Sequence, residues 1–183
     1  MNAMHKALLH DIIAERVRLP GARVIWSYEN GRRPPLPFVL LRVYGDHPAA
    51  GRMVSQTDTP GILSVRAPYE CTLQVQYFGC MDEDAVEILT DLAHWFAFPS
   101  VTDRLFAAGV AVYDAGGVND ISTVLDSLAY ERRAALEISV RYDRAEEDDV
   151  GYISAAEIEE KLDERPERII RVEWKGELTN GDS

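Results

Sequence analysis

The sequence predicts an α+β fold in one domain, a mixed or antiparallel sheet packed by two or three helices. Three observations predict it. Between Tyr130 and Tyr142, Ala134, Leu136, Ile138, Val140 and Tyr142 alternate with Ala135, Glu137, Ser139 and Arg141, which describes a half-buried antiparallel strand and the centre of the sheet. Helical spacing recurs elsewhere, in Met4, Leu8, Ile12 and Ile13 and again in Ala85, Ile88 or Leu89, Leu92 and Phe96. A length of 183 residues is enough to bury a core without metal or disulfide staples.

Taken in order, Asn2 to Arg18 reads as an amphipathic helix, stopped by Pro20-Gly21. Arg23 to Ser27 is a short strand. Pro34, Pro35 and Pro37 then forbid a helix and impose an extended, stiff path into a strand from Phe38 to Tyr44. Gly45 to Pro60 is small and polar, and is expected as an exposed loop. Ile62 to Ala67 and Glu70 to Phe78 read as a strand pair, the second with Cys71, Leu73, Val75 and Tyr77 on one face and Thr72, Gln74, Gln76 and Phe78 on the other.

After Gly79, Asp82 is placed to cap the helix that ends near Phe96, the expected lid on the sheet. A shorter helix, Ser100 to Ala108, stops at Gly109. Val110 to Tyr113 is a brief strand and Asp114 to Asp120 a turn-rich segment. The like-charged run Asp143 to Asp149 is expected as an exposed hairpin loop. Between Val150 and Ile158 strand and helix compete, and a strand start is preferred. Ile169 to Trp174 is too apolar for free coil, and Lys175 to Ser183 is expected to fray.

The formal net charge is −12, and Asp143 to Ser183 holds 14 acidic and 6 basic residues, a local −8. Binding to nucleic-acid backbones relies on cations that displace phosphate counterions, so a DNA reader is disfavoured. A protein past which DNA slides is compatible with such a surface. Cys71 and Cys80 have no zinc or disulfide spacing, which suggests folding in a reducing compartment. No basic segment followed by an apolar run opens the chain, and no stretch nears the roughly 20 apolar residues that cross a bilayer.

No Gly-rich phosphate loop, HExxH, CxxC or GxSxG occurs, so no catalytic or cofactor site is expected. His94 has no second ligand at metal spacing, and His5 and His10 do not share a helix face. Glu146-Glu147 and Asp148-Asp149 could attract a divalent cation, but adjacent loop carboxylates without a ligand pattern are more often solvated. Glu131-Arg132-Arg133 puts three charges where the central strand begins. The bland account is a solvated strand end; the sharper one gives these side chains partners.

Several short passages occur in series. They are Arg-Pro-Pro-x-Pro-Phe-Val-x-Leu-Arg from Arg33 to Arg42, Gln-Val-Gln-x-Phe-Gly from Gln74 to Gly79, and Ala-Ala-Gly-Val-Ala from Ala107 to Ala111. Tyr-Glu-x-Arg-Ala from Tyr130 to Ala134 and Asp149-Val-Gly-Tyr-Ile153 complete the series. Their order resembles that of phage neck terminator and tail-completion proteins over about residues 5–160. The resemblance implies a tail-terminator-like domain over 1–160, with an acidic extension at 161–183. It implies a virion protein, assembled in the host cytoplasm, that forms a ring, typically a hexamer, at the head-proximal end of the tail. Its partners would be other copies of itself, the tail tube, the sheath where a tail has one, and the head-completion proteins, with DNA passing through the lumen. No catalytic residue, cofactor or metal comes with the resemblance. The interface candidates are Arg32, Arg33, Glu131, Arg132, Arg133, Asp148, Asp149 and Trp174. A non-catalytic tail or baseplate assembly factor is the nearest alternative, and a small-molecule-binding α/β module or enzyme a more distant one.

Overall fold

Asn2 starts helix α1 (Ala3–Val17) because its side-chain oxygen accepts the His5 amide, and Arg18 ends it in the left-handed conformation. The computed structural model to which this helix belongs describes residues 1–29, 31–49, 51–57, 59–126, 129–162 and 165–175, with the backbone alone at 125, 126, 129, 153–162 and 165–175. Strands β1 (Val24–Trp26), β2 (Phe38–Pro48), β3 (Met53–Gln56) and β4 (Ile62–Gly79) follow. Helices α2 (Ala85–Trp95) and α3 (Pro99–Ala107) come next, then β5 (Val110–Asp120), β6 (Thr123–Asp126), β7 (Ala129–Asp149), β8 (Tyr152–Leu162) and β9 (Arg165–Lys175).

The fold is α+β, as expected. Among the described residues, one sheet has seven strands in the order β1-β2-β4-β7-β5, with β3 on β4 and β6 on β7, and β8 pairs with β9. The large sheet is mixed: β1 runs parallel to β2, whereas β2 and β3 are antiparallel to β4, and β5 and β6 to β7. Period-two alternation decides which face is covered. Val39, Leu41, Cys71, Leu73, Val75, Tyr77, Leu136, Ile138 and Val140 form one buried cluster with Leu9, Ile12 and Ile13 of α1, Leu89 and Leu92 of α2, and Val101 and Leu105 of α3. The alternate residues Arg42, Gln74, Gln76, Glu137 and Arg141 stay outside that cluster.

Residues Met1–Gly51 and Pro68–Arg144 make one compact unit, and Arg52–Ala67 with Ala145–Ser183 make a second. The first holds the three helices and the buried cluster. The second holds β3, its partner segment of β4, and the β8–β9 hairpin.

Several boundaries differ from the sequence expectations. The loop expected at Gly45 to Pro60 contains the end of β2 and all of β3. The strand pair expected at Ile62–Ala67 and Glu70–Phe78 is one strand through Pro68, whose carbonyl still accepts the Ala49 amide. The segment Asp114 to Asp120 continues β5 through two register shifts, and Asp143 to Asp149 continues β7 rather than looping. Polar strand, as at Asp114 to Asp120 and Asp143 to Asp149, lacks the apolar alternation that marks a strand in sequence. Asp84, not Asp82, caps α2, accepting from the Val86 and Glu87 amides. Tyr152 onward is strand, as preferred, and Ile169 to Trp174 lies in β9. Residues 176–183 lie outside those described.

Candidate interface site

Among the described residues, the polar sheet face carries one buried acid. Phe38 and Phe78 are direct partners in the β2–β4 register, and their rings stack at 4.4 Å with 5° between planes. Their side chains lie on the alternation opposite to the helix-covered cluster, so a hydrophobic step forms on the otherwise polar face. Beside it, Glu131 at the start of β7 is only 2% exposed. Arg133, two residues on and therefore on the same strand face, donates through Nε to Glu131 Oε2 at 2.5 Å. Arg33, delivered by the Pro-rich segment between β1 and β2, donates to the other carboxylate oxygen.

Both guanidiniums also lie over aromatic rings. Arg33 Cζ is 5.1 Å from the Phe38 centroid and 5.4 Å from that of Phe78, and Arg133 Cζ is 5.0 Å from Phe78. A carboxylate withdrawn from water is expensive unless paired and hydrogen-bonded, and two planar cations on two rings satisfy that need. The Arg133 backbone is fixed as well: its amide donates to Ser122 Oγ at 3.0 Å, and its carbonyl accepts the Ile121 amide at 3.0 Å. Asp120 Oδ1 in turn accepts the Ser122 amide at 2.9 Å, and hydrogen bonds from Ser122 hold the Asp120 carboxyl below its ordinary range.

Across the same face runs a polar ladder. Gln76 donates to Gln74 at 2.8 Å and Gln74 to Glu137 at 3.2 Å, while Arg141 Nε donates to Glu70 at 2.9 Å. The Arg141 bond is the main reason the Glu70 carboxyl sits below its usual range. Ser27, Leu40, Arg42, Gln74 and Gln76 line a shallow cleft of about 330 Å³. The ladder side chains are hydrogen-bonded to one another and so held in place for recognition.

A family model described as the phage neck terminator protein matches residues 4–164 of the chain. The chain belongs to the phage neck terminator family. Its role is accordingly that of a structural protein of the phage neck and tail. No curated protein matches the chain.

The arginine-carboxylate site of this neck terminator lies inside the matched span. The fold therefore brings together Arg33, Glu131 and Arg133 from the candidate list, and Glu131 is bonded within its own chain. Arg32 and Arg132 are exposed, and neither is in an ion pair among the described residues; Arg132 Cζ lies 5.8 Å from the Tyr130 ring centroid. Asp148 and Asp149 are exposed at the end of β7, where Asp149 Oδ1 accepts the Gly151 amide at 3.1 Å. Trp174 pairs by backbone with Ile153, and its side chain lies outside those described.

Phe38, Phe78 and Ser122 were not singled out by sequence. A signal did exist for Phe78, an aromatic residue on the strand face otherwise occupied by Thr72, Gln74 and Gln76. His94 is exposed on α2. Among the described residues no three His, Cys, Asp or Glu side chains gather as a metal site, and no helix is long and apolar enough to cross a membrane.

Proposed function

We propose that this neck terminator assembles into a ring, a hexamer, at the head-proximal end of the phage tail. There it closes the tail tube, and the sheath where one is present, and joins them to the head-completion proteins. Family membership over residues 4–164 is the observation that carries this reading. The polar sheet face supports it: a fixed ladder of Gln, Glu and Arg side chains, uncovered by the core-packing helices, offers hydrogen-bonding groups to a neighbouring ring. The net charge of −12 supports a lumen past which DNA slides, because repulsion keeps phosphates from sticking. The protein acts without catalysis, is assembled in the host cytoplasm and ends in the virion neck.

Incubation with purified tail tubes followed by electron microscopy tests the reading. Added density at one tube end only, with tubes of fixed length, is the expected result. Tubes that remain bare at both ends, or are decorated along their length, would contradict it.

A further inference from the structure

A free edge strand offers unpaired amides and carbonyls to another chain, and proteins blunt it with bulges, charges, proline or a covering side chain. Strands β2, β5 and β6 are each broken by register shifts, with Asp46 and Pro48 in β2, Asp114 and Asp120 in β5, and Asp126 in β6. On the three-residue β1, His10 Nε2 donates to the Val24 carbonyl at 3.0 Å. Strand β3 has none of these devices. Its residues Met53, Val54, Ser55 and Gln56 are uncharged and run in even register opposite Arg66 to Leu63 of β4. Met53 and Val54 point to opposite faces, yet they are 66% and 58% exposed, so neither face of this strand is covered. Among the described residues β3 pairs with β4 alone, which leaves its second edge open to an added strand.

A strand with the matching need occurs on the same chain. The β8–β9 hairpin is a two-stranded sheet among the described residues, and such a hairpin is marginal until a third strand or a packed face supports it. Charge selects which of its strands suits β3. Arg52 directly precedes β3 and Arg66 is the register partner of Met53; both are exposed and in no ion pair among the described residues. Strand β8 carries Glu157, Glu159 and Glu160 against the single cation Lys161, whereas in β9 the cations Arg165, Arg168, Arg171 and Lys175 outnumber Glu167 and Glu173. Pro166 of β9 also has no amide to donate. Opposite charges on neighbouring strands attract and like charges repel, so the acidic β8 fits and β9 does not. Within one chain β3 and β8 belong to separate sheets, which leaves the two edges for another copy to join.

We propose that the open edge of β3 receives β8 of a second copy of this chain as an added strand, with Arg52 and Arg66 attracting its glutamates. The proposal rests on the ring reading and names a contact that joins neighbours within the ring. Two different segments meet at this contact, so it is heterologous and repeats from copy to copy, as closure of a ring requires. Backbone hydrogen bonds supply the pairing, and the charges select the strand.

The test uses the full chain with Cys80→Ser, which leaves only the buried Cys71, and adds one cysteine per variant, S55C in β3 or A156C in β8. Thermal melts matching wild type verify the fold. The two variants are mixed at a concentration that assembles, treated with a short bis-maleimide and mapped by mass spectrometry. A covalent dimer joining one S55C chain to one A156C chain is the expected product. A chain carrying both substitutions is expected to stay unlinked at concentrations too low to assemble. Light scattering against concentration gives a second readout. R52E/R66E is expected to need about tenfold more protein for half-assembly, since reversal sets like charges face to face. R52E/R66E/E157R/E160R, with both sides reversed, is expected to recover wild-type assembly.

Rings in which no link joins the two variants, or in which S55C chains link only to one another, overturn the proposal while leaving the ring reading intact. Links formed only within a chain carrying both substitutions, or wild-type-like assembly by R52E/R66E, overturn it in the same way. Wild-type protein that stays monomeric at every concentration overturns the ring reading, and this contact with it.

Discussion

Glu131 concentrates the local physics: a carboxylate 2% exposed lies between two guanidiniums, and each guanidinium lies over a phenylalanine. Glu131→Gln keeps the shape but removes the charge that both arginines answer. It is expected to cost ~1–3 kcal/mol in urea unfolding. Arg33→Ala is expected to cost less, under ~1 kcal/mol, because Arg33 is half exposed and Arg133 still compensates the carboxylate. Equal losses for the two substitutions would show that the site is not centred on the acid. Sequence alone placed Arg33, Glu131 and Arg133 among the candidates but could not join them, since Arg33 and Glu131 are 98 residues apart and no local pattern reports a contact of that separation.

Two histidines of the first helix act in opposite directions with pH. His5 is buried and, despite a bond to the Ala108 carbonyl, burial lowers its pKa. Burial would also lower that of His10, but Asp11 on Nδ1 and the Gly21 and Val24 carbonyls on Nε2 outweigh it, and the pKa is raised. Acceptors at both ring nitrogens call for a doubly protonated ring. For His10 the folded state holds its proton above the unfolded value of about 6.5, so its contribution is full below that value and is lost as pH rises through the folded pKa. For His5 the folded state resists protonation, so stability falls as pH drops below about 6.5. Melting temperature against pH checks both. His10→Asn should flatten the decline on the alkaline side and His5→Phe the decline between about pH 6.5 and 5, above the carboxylate range. Unchanged limbs would refute the assignment.

At the scale of elements, the strands outrun their apolar patterns. The core parts of β2, β4 and β7 were legible because burial on one face imposes alternation, as in Leu136, Ile138 and Val140. Beyond the core, Asp143 to Asp149 is strand with no buried face, and the sequence there shows only a charge run. Two strands are expected at Ile62 to Ala67 and Glu70 to Phe78, yet β4 runs through both, with Pro68 inside it and its carbonyl bonded.

Two left-handed glycines, one inside β2 and one between β3 and β4, carry a direct test. Gly45 lies at the β2 register shift with φ +67°, and nothing lies within 4 Å of a Cβ added there. Gly61 has φ +85°, and an added Cβ would meet the Gly151 backbone at 3.1 Å and Tyr152 at 3.0 Å. Gly45→Ala pays only for the left-handed backbone, ~1 kcal/mol, whereas Gly61→Ala adds a steric clash with backbone and is expected to cost roughly 2 kcal/mol or more. Chemical denaturation of the two variants decides the order, and a costlier Gly45→Ala would contradict the contacts described for Gly61.

For the whole molecule, family membership and charge bear on the same question. The series of short passages from Arg33 to Ile153 was enough to suggest the family, and the match over residues 4–164 establishes it. Neither pattern nor composition carries stoichiometry, because a symmetric interface is a property of two surfaces and the sequence displays one. A ring held partly by exposed charges should also weaken with salt, since screening shortens the reach of such pairs to about 8 Å at physiological ionic strength. The most direct measurement is the mass of the purified full chain by native mass spectrometry, with electron microscopy of the same sample. A closed six-membered ring with a central opening is the expected result; a monomer at every concentration, or an open filament, would contradict the proposed assembly.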